Sequence, residues 1–333
     1  MKRPKILVVG SFMMDLIASA PRVPDLGETV IGTSFRTAPG GKGANQALQC
    51  ARLGAEVTMA GCVGDDAFGR EMTSTLAAGG VDISHVKVSG KSPSGVGCIQ
   101  LEERKDGVQN RILVVPGANY DLREEDIAWM KDGIGAYDLL MLQLEMDIHT
   151  TKAAARYAFE AGVPVMLNPA PAAPLDREFL SCVTYLSPNE HEASLLGGTL
   201  LTAGEDGIDQ GQLLAAAERL RSMGVDKVIV TLGSNGAALC DGEGVRSTPC
   251  VRMPEVKDPT AAGDSFVAAF CVGITAGLAE QEALAFASHT AAITVSGMGA
   301  MPSLPYLGQV KELMKERQYC GFDVDGFCSV LEK

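Results

Sequence analysis

The sequence predicts an α/β protein, a doubly wound and mostly parallel sheet carrying a second, smaller β-sheet. Three observations predict it. From Asp138 onward, apolar runs of strand length alternate with helix-like segments, the rhythm of a parallel sheet covered by helices. Before residue 120, two β-rich stretches flank a polar turn and read as a hairpin outside that rhythm. Further on, Asp258-Pro259-Thr260-Ala261-Ala262-Gly263-Asp264 passes from a β-like run at 251–256 into an apolar helical segment at 265–278, as a βα unit does.

In chain order, residues 5–12 form an apolar run of strand length, and 23–35 alternates loosely around Gly27 and Gly32. Gly40-Gly41-Lys42-Gly43-Ala44-Asn45 opens a helix that ends at Leu53-Gly54. Residues 56–63 are strand-like, and a helix runs from Gly64-Asp65-Asp66 toward Gly79-Gly80. The hairpin stretches 95–102 and 108–115 flank a turn at 103–107; a small β subdomain is expected from about 14–38 and 94–117, inserted into one domain over 1–333. Strands follow at 139–143, 163–168, 184–187 and 227–232, with helices near 150–161, 190–196 and 210–223. The chain after Pro305 begins helical, and 319–333 carries no usable signal.

A chain of 333 residues, 46% hydrophobic and 21% charged, can bury a substantial core. Its net charge of -13 argues against non-specific binding to nucleic acid or anionic membranes. Backbone dipoles can still bind a phosphate inside an acidic protein. The nine cysteines are scattered, with no Cys-x-x-Cys, and read as reduced thiols of a cytoplasmic protein. The four histidines lack zinc-ligand spacing. Lys2, Arg3 and Lys5 before an apolar stretch, with Ala18-Ser19-Ala20 beyond it, imitate a secretion signal. Gly10, Ser11 and Asp15 fit a buried strand leaving a sheet better, so no leader is expected. No apolar run is long enough to span a bilayer.

Chemistry concentrates at 258–264. Three small residues at a helix start leave N–H groups unshielded at the positive end of the helix dipole, a site for an anion. Asp264 adds a carboxylate beside them, as base for moving a phosphoryl group onto a hydroxyl or simply as a helix cap. Gly40-Gly41-Lys42-Gly43 is not a Walker motif, which needs Ser or Thr after the Lys. No Gly-x-Gly-x-x-Gly follows the first strand, which removes the main support for a dehydrogenase. A glycine-rich turn with Lys42 and Asn45 suits a polyol, since close backbone approach needs glycine.

These two stretches, with Asn189-Glu190-His191-Glu192 and Thr231-Leu232-Gly233-Ser234-Asn235-Gly236 in the same order, resemble the landmarks of the ribokinase-like (PfkB) carbohydrate kinases. The similarity runs from about Ile6 to Pro305. It implies a doubly wound domain with a β-sheet lid, through which members often dimerise. It implies Asp264 as the base for the sugar's primary hydroxyl, and the N–H groups of Ala261, Ala262 and Gly263 around the γ-phosphate of ATP. Met13, Asp15, Gly41, Lys42, Asn45 and Glu145 would line the sugar site. Asn189 and Glu192 would organise Mg²⁺. Thr231, Gly233, Ser234 and Gly236 would line the nucleotide groove, with Gly263 at the phosphates and Ser288 near the adenine. A monovalent-cation (K⁺) site would map to Asp258, Thr260, Thr294, Gly297, Gly299 and Ser303. Read by themselves, Glu145 is also a strand-end carboxylate facing water, and Asn189 with Glu192 a helix opening.

One position departs. The family's ribokinases usually carry Asn two residues before the first sugar-binding Asp, and here that place is Met13. A thioether is a weak acceptor and no donor, so a buried hydroxyl facing it would go unpaired, at a cost of about 1–3 kcal/mol. Met also resembles the deoxyribokinase branch. The expected activity is therefore ATP-dependent phosphorylation of the 5-hydroxyl of D-ribose or 2-deoxy-D-ribose, tilted toward the latter. A fructokinase-like sugar kinase, a nucleoside kinase or a non-catalytic sugar or nucleotide sensor are the alternatives.

Overall fold

The first strand, Lys5–Val9, shows how the large sheet is covered. Ile6 and Val8 enter one apolar cluster and Leu7 and Val9 another, so side chains alternate between two buried faces. Strands buried on both sides read as continuous apolar runs, which is why the sequence showed them clearly. In this computed structural model, residues 2–104, 107–201, 203–204 and 207–332 are described.

Among them, nine strands form the large sheet. Their order is Gly244–Thr248, Ala237–Asp241, Lys227–Thr231, Tyr185–Leu186, Val165–Leu167, Leu139–Leu142, Lys5–Val9, Glu56–Gly64 and Asp82–Ser89. The seven from Lys227–Thr231 onward pair in parallel, and the hairpin 237–248 closes one edge antiparallel. Helices Lys42–Arg52, Ala67–Ala78, Ala262–Ala276 and Glu280–Ser296 share one cluster with the first-strand residues Ile6 and Val8. Helices Ile148–Glu160 and Gln210–Ser222 share the other. The expected helices at 150–161, 190–196 and 210–223 fall at Ile148–Glu160, Glu190–Gly197 and Gln210–Ser222.

A separate four-stranded sheet, in the order Ser34–Gly40, Met13–Ala20, Val96–Arg104, Gly107–Val115, is the lid. The turn expected at 103–107 includes Lys105 and Asp106, which lie outside the described residues. Two expectations need correction. Residues 251–256 form no strand; Pro254 interrupts them, and the edge they would occupy belongs to Gly244–Thr248. The loose alternation at 23–35 is mostly irregular, the strand starting only at Ser34. Near the C-terminus, helices Leu307–Glu316 and Val324–Leu331 pack on the first cluster, Phe327 meeting Phe286 edge-on at 5.2 Å.

Candidate active site

The strand order reverses beside Lys5–Val9: the chain continues to Glu56–Gly64 on one side and to Leu139–Leu142 on the other. Loops that leave neighbouring strands in opposite directions open a crevice at their carboxyl ends. Glu145, beyond Leu139–Leu142, ties this crevice together. Its Oε2 accepts from Ser11 Oγ at 2.5 Å and from the Lys42 main-chain N–H at 3.0 Å, so it is a structural anchor rather than a free strand-end carboxylate. Gly41 opens helix Lys42–Arg52 at φ 97°, a conformation that favours glycine. A Cβ on Gly43 would stand 2.4 Å from Ser11 N. Glycine there lets the helix start close on the first loop.

Asp264 lies in the first turn of helix Ala262–Ala276 and is buried. Its oxygens turn to the helix of Lys42: Oδ2 accepts from Asn45 Nδ2 at 2.9 Å and Oδ1 from Gln46 Nε2 at 3.0 Å. Burial raises its pKa, and Lys42, Asn45 and Gln46 pull it back only in part. Burial also works against the Lys42 ammonium, but Asp264, Glu145 and Glu192 hold its pKa above the ordinary lysine value. Asp15, on the lid between Ala38 and Gly97, has its pKa pushed up to about 6 by burial and by the charges of Glu145 and Asp264. Its carboxylate occupies space over glycines, since a Cβ on Gly97 would meet Asp15 Oδ1 at 2.7 Å and one on Gly40 would meet Oδ2 at 3.1 Å.

A cavity of about 230 Å³ opens in front of Asp264. Of the expected residues, Lys42, Asn189, Glu192, Thr231, Ala261, Gly263 and Asp264 line it. Ala261 takes φ 62°, rare for a residue with a Cβ. Among the described residues, the N–H groups of Ala261, Gly263 and Asp264 meet no protein acceptor, whereas Ala262 donates to Pro259 O at 3.2 Å. Of the expected nest of Ala261, Ala262 and Gly263, the Ala262 amide closes a turn, while the neighbouring Asp264 amide is as unengaged as the outer two. Asn189 and Glu192 do cap their helix, each main-chain N–H donating to the other's side chain at 2.9 and 2.8 Å. They line the cavity as well. Met13 is buried, its Sδ 3.8 Å from Asn119 Nδ2.

Gly233, Ser234, Gly236 and Ser288 do not line this cavity. The first three form the turn after Lys227–Thr231, with Gly233 and Gly236 at positive φ, and Ser288 is buried in helix Glu280–Ser296. Of the six residues expected for a cation, Asp258, Thr260, Gly297 and Gly299 lie on loops, Thr294 in helix Glu280–Ser296 and Ser303 in the short helix Ala300–Ser303. Asp258 accepts from the amides of Thr260 and Gly299 at 2.9 Å each, Gly297 donates to Thr294 O at 3.1 Å, and a Cβ on Gly297 would meet Ser303 Cβ at 2.7 Å. Among the described residues no three His, Cys, Asp or Glu side chains gather to hold a metal. A cation there would have to rest on Asp258 and carbonyl or hydroxyl oxygens, a donor set that suits a hard ion.

Sequence reasoning missed Asn168 and Ser187 in the cavity wall, and Gln46, Gln143 and Ser11 behind it. A signal existed. Gln143, Asn168 and Ser187 each directly follow the last apolar residue of a parallel strand, Leu142, Leu167 and Leu186, the position that faces a crevice of this kind.

A doubly wound sheet, a lid and a buried carboxylate beside free amides define a small-molecule phosphotransferase site. Comparison with known proteins specifies the class: residues 3–307 match the pfkB family carbohydrate kinases. The chain belongs to that family and is an ATP-dependent sugar kinase. It is 40% identical over 312 residues to the ribokinase of Schizosaccharomyces pombe, covering 92% of this chain and 96% of the relative. The deoxyribokinase of Salmonella typhi is 33% identical over 310 residues, covering 93% and 98%. The structure of Arabidopsis thaliana ribokinase complexed with ribose and ATP superposes with a TM-score of 0.84 at 33% identity, covering 94% of this chain and 99% of that one.

Proposed function

We propose that the protein transfers the γ-phosphoryl group of ATP to the 5-hydroxyl of a pentose, D-ribose or 2-deoxy-D-ribose. The observation that carries this reading is Asp264, a buried carboxylate of raised pKa beside unengaged amides. The names of the relatives, ribokinase and deoxyribokinase, support the sugar. In this reading Asp264 accepts the hydroxyl proton, the freed oxygen bonds to the γ-phosphorus, and the bond to the β-phosphate oxygen breaks to release ADP. A base whose pKa is raised toward working pH contributes roughly 10²- to 10⁴-fold. The N–H groups of Ala261, Gly263 and Asp264, with the Lys42 ammonium, stabilise charge on the transferring group. Asp15, Gly41, Lys42, Asn45 and Glu145 hold the sugar. Asn45 Oδ1 is buried, has no partner among the described residues and can accept from a hydroxyl.

Asn189 and Glu192 offer the hard oxygens that suit Mg²⁺ and its waters; the ion neutralises phosphate charge when bound. Asp258, Thr260, Thr294, Gly297, Gly299 and Ser303 hold K⁺; Asp258 and Thr260 directly precede the 261–264 turn, and Thr294 Oγ1 donates to Ser265 Oγ at 2.7 Å just after it. Thr231, Gly233, Ser234, Gly236 and Ser288 lie toward the nucleotide. The working form is a homodimer joined through the lid, and the compartment is the cytoplasm, consistent with nine free cysteines. Among the described residues no helix is long and apolar enough to cross a membrane. A coupled ADP-release assay over a panel of pentoses, hexoses and nucleosides, run in sodium, potassium and caesium buffers, tests the reading. Pentose-dependent turnover that is highest in potassium is expected, and Asp264→Asn should lose roughly 10²-fold or more in kcat with both substrates still bound. Turnover only with a hexose or nucleoside, or none, would replace it with the corresponding kinase or a sensor.

The Met13 thioether favours 2-deoxy-D-ribose within this reading. It packs where a Cβ on Gly95 would lie 2.7 Å from Sδ, next to an Asn119 amide that is already spent on Phe12 and Pro116. No donor is left there for an extra hydroxyl. Wild type should have the higher kcat/KM for 2-deoxyribose, by 10²-fold at most, and Met13→Asn should move the ratio toward ribose. A wild-type preference for ribose that the substitution leaves unchanged ends the idea.

A further inference from the structure

Resting on the kinase reading above, we infer that Gln46 and Gln143 are a positioning pair: Gln143 sets which way the Gln46 amide faces, and Gln46 holds Asp264 in line with the acceptor hydroxyl. Gln143 Nε2 donates to Gln46 Oε1 at 2.6 Å. Gln46 Nε2 then donates to Asp264 Oδ1 at 3.0 Å and to Asn168 Oδ1 at 3.3 Å. Both glutamines are fully buried, so no water competes for these contacts.

An amide side chain turned by half a rotation exchanges its oxygen and nitrogen. Turned that way, Gln46 would set its oxygen against Asp264 and Asn168, both acceptors at those atoms, and its nitrogen against the Gln143 nitrogen. Only the orientation with Nε2 toward Asp264 satisfies every partner, and the Gln143 donor enforces it. Gln143 is itself wedged in place: a Cβ on Gly10 would stand 2.2 Å from Gln143 Oε1, an oxygen with no hydrogen-bond partner among the described residues. Asn45 takes Oδ2 and Gln46 takes Oδ1, so one helix fixes both oxygens and hence the carboxylate plane. Asn45 is also committed to the sugar, whereas Gln46 serves Asp264 and its neighbour Asn168.

The charges facing Asp264 are Lys42 from the same helix, Asp15 from the lid and Glu192 from helix Glu190–Gly197, with Glu145 acting on Asp15 and Lys42. Against the two carboxylates of Asp15 and Glu192 and one ammonium, a neutral donor steadies the ionised base without adding charge. Gln46 supplies that donor, and losing it raises the pH at which the base becomes active.

The test is a double-mutant cycle with Gln46→Met and Gln143→Met, each checked by thermal melting. Each should lower kcat about ten- to hundredfold, leave KM for pentose and ATP within about twofold, and move the acid limb of the kcat/KM profile to higher pH. The double variant should lose no more than Gln46→Met alone, because Gln143 acts only through Gln46. Gln143→Glu, which keeps the volume, is the second variant; once ionised it only accepts, turns the Gln46 oxygen to Asp264, and loses kcat as pH rises. Losses that multiply, or acid limbs that stay in place while the wild type turns over, overturn the inference. A wild type with no pentose-dependent turnover fails the kinase reading instead.

Discussion

Asp15, a sugar ligand in the proposed reading, shows what a buried carboxylate costs the fold that carries it. Its pKa stands at about 6 against an ordinary 3.8, raised by burial and by Glu145 and Asp264. Between those values the folded protein keeps a proton that the unfolded chain has released. This group's contribution to stability therefore falls as pH rises through that window and is a net cost at neutral pH. Asp15→Asn should raise unfolding free energy at pH 7 by on the order of 1–3 kcal/mol, with little effect below about pH 4. The same change should raise pentose KM by about tenfold or more. Urea denaturation at both pH values checks it, and an equal gain at each would show that the carboxylate is not the source.

At the scale of elements, the start of helix Lys42–Arg52 joins Glu145 to Asp264, the sugar ligand and the base of the proposed reading. Gly43 allows the contact, since its Cβ would reach 2.4 Å from Ser11 N and 2.6 Å from Gly10 C. Gly43→Ala should push the helix outward, costing about 1–3 kcal/mol of stability and stretching the Ser11–Glu145–Lys42 links. Pentose KM should rise several-fold while ATP KM, which the proposed reading sets across the cavity near Asn189 and Thr231, stays put; a parallel rise in both would mean a general loss of structure. Glycines of this sort were legible in the sequence because no other residue fits, and the parallel strands because burial on both faces leaves unbroken apolar runs. The edge hairpin 237–248 was not, its strands short and its turn polar. Nor was the engagement of the Ala262 amide, which depends on the left-handed turn at Ala261, a conformation that an alanine does not announce. Gln46 and Gln143 stayed hidden because a buried amide has no periodicity; its meaning comes from partners 97 and 218 residues away.

Over the whole molecule, the lid is the part whose surface is least accounted for by one chain. Side chains alternate between faces along a strand, yet Ile112, Leu113, Val114 and Val115 are all exposed, Leu113 at 65%, as is Phe35 at 67% on the opposite edge strand. Successive apolar residues left exposed on both faces of an edge strand mark an interaction site. The same sheet carries Met13 and Asp15, so in the proposed reading whatever covers it bears on the sugar. It also reaches the candidate cation loop, since the Arg36 charge is among the influences that keep the Asp258 pKa low despite burial. A second lid would cover these apolar residues and steady Asp15. Sedimentation at micromolar concentration should give twice the chain mass of 34.8 kDa, and Leu113→Asp should bring it to the single-chain value, because a buried unpaired carboxylate opposes association. The monomeric variant should keep its melting temperature, since Leu113 is exposed in the single chain, and lose about tenfold in kcat/KM for pentose with ATP KM unchanged. A wild type that sediments as a monomer, or a variant that dimerises as tightly as wild type, would move the interface away from the lid.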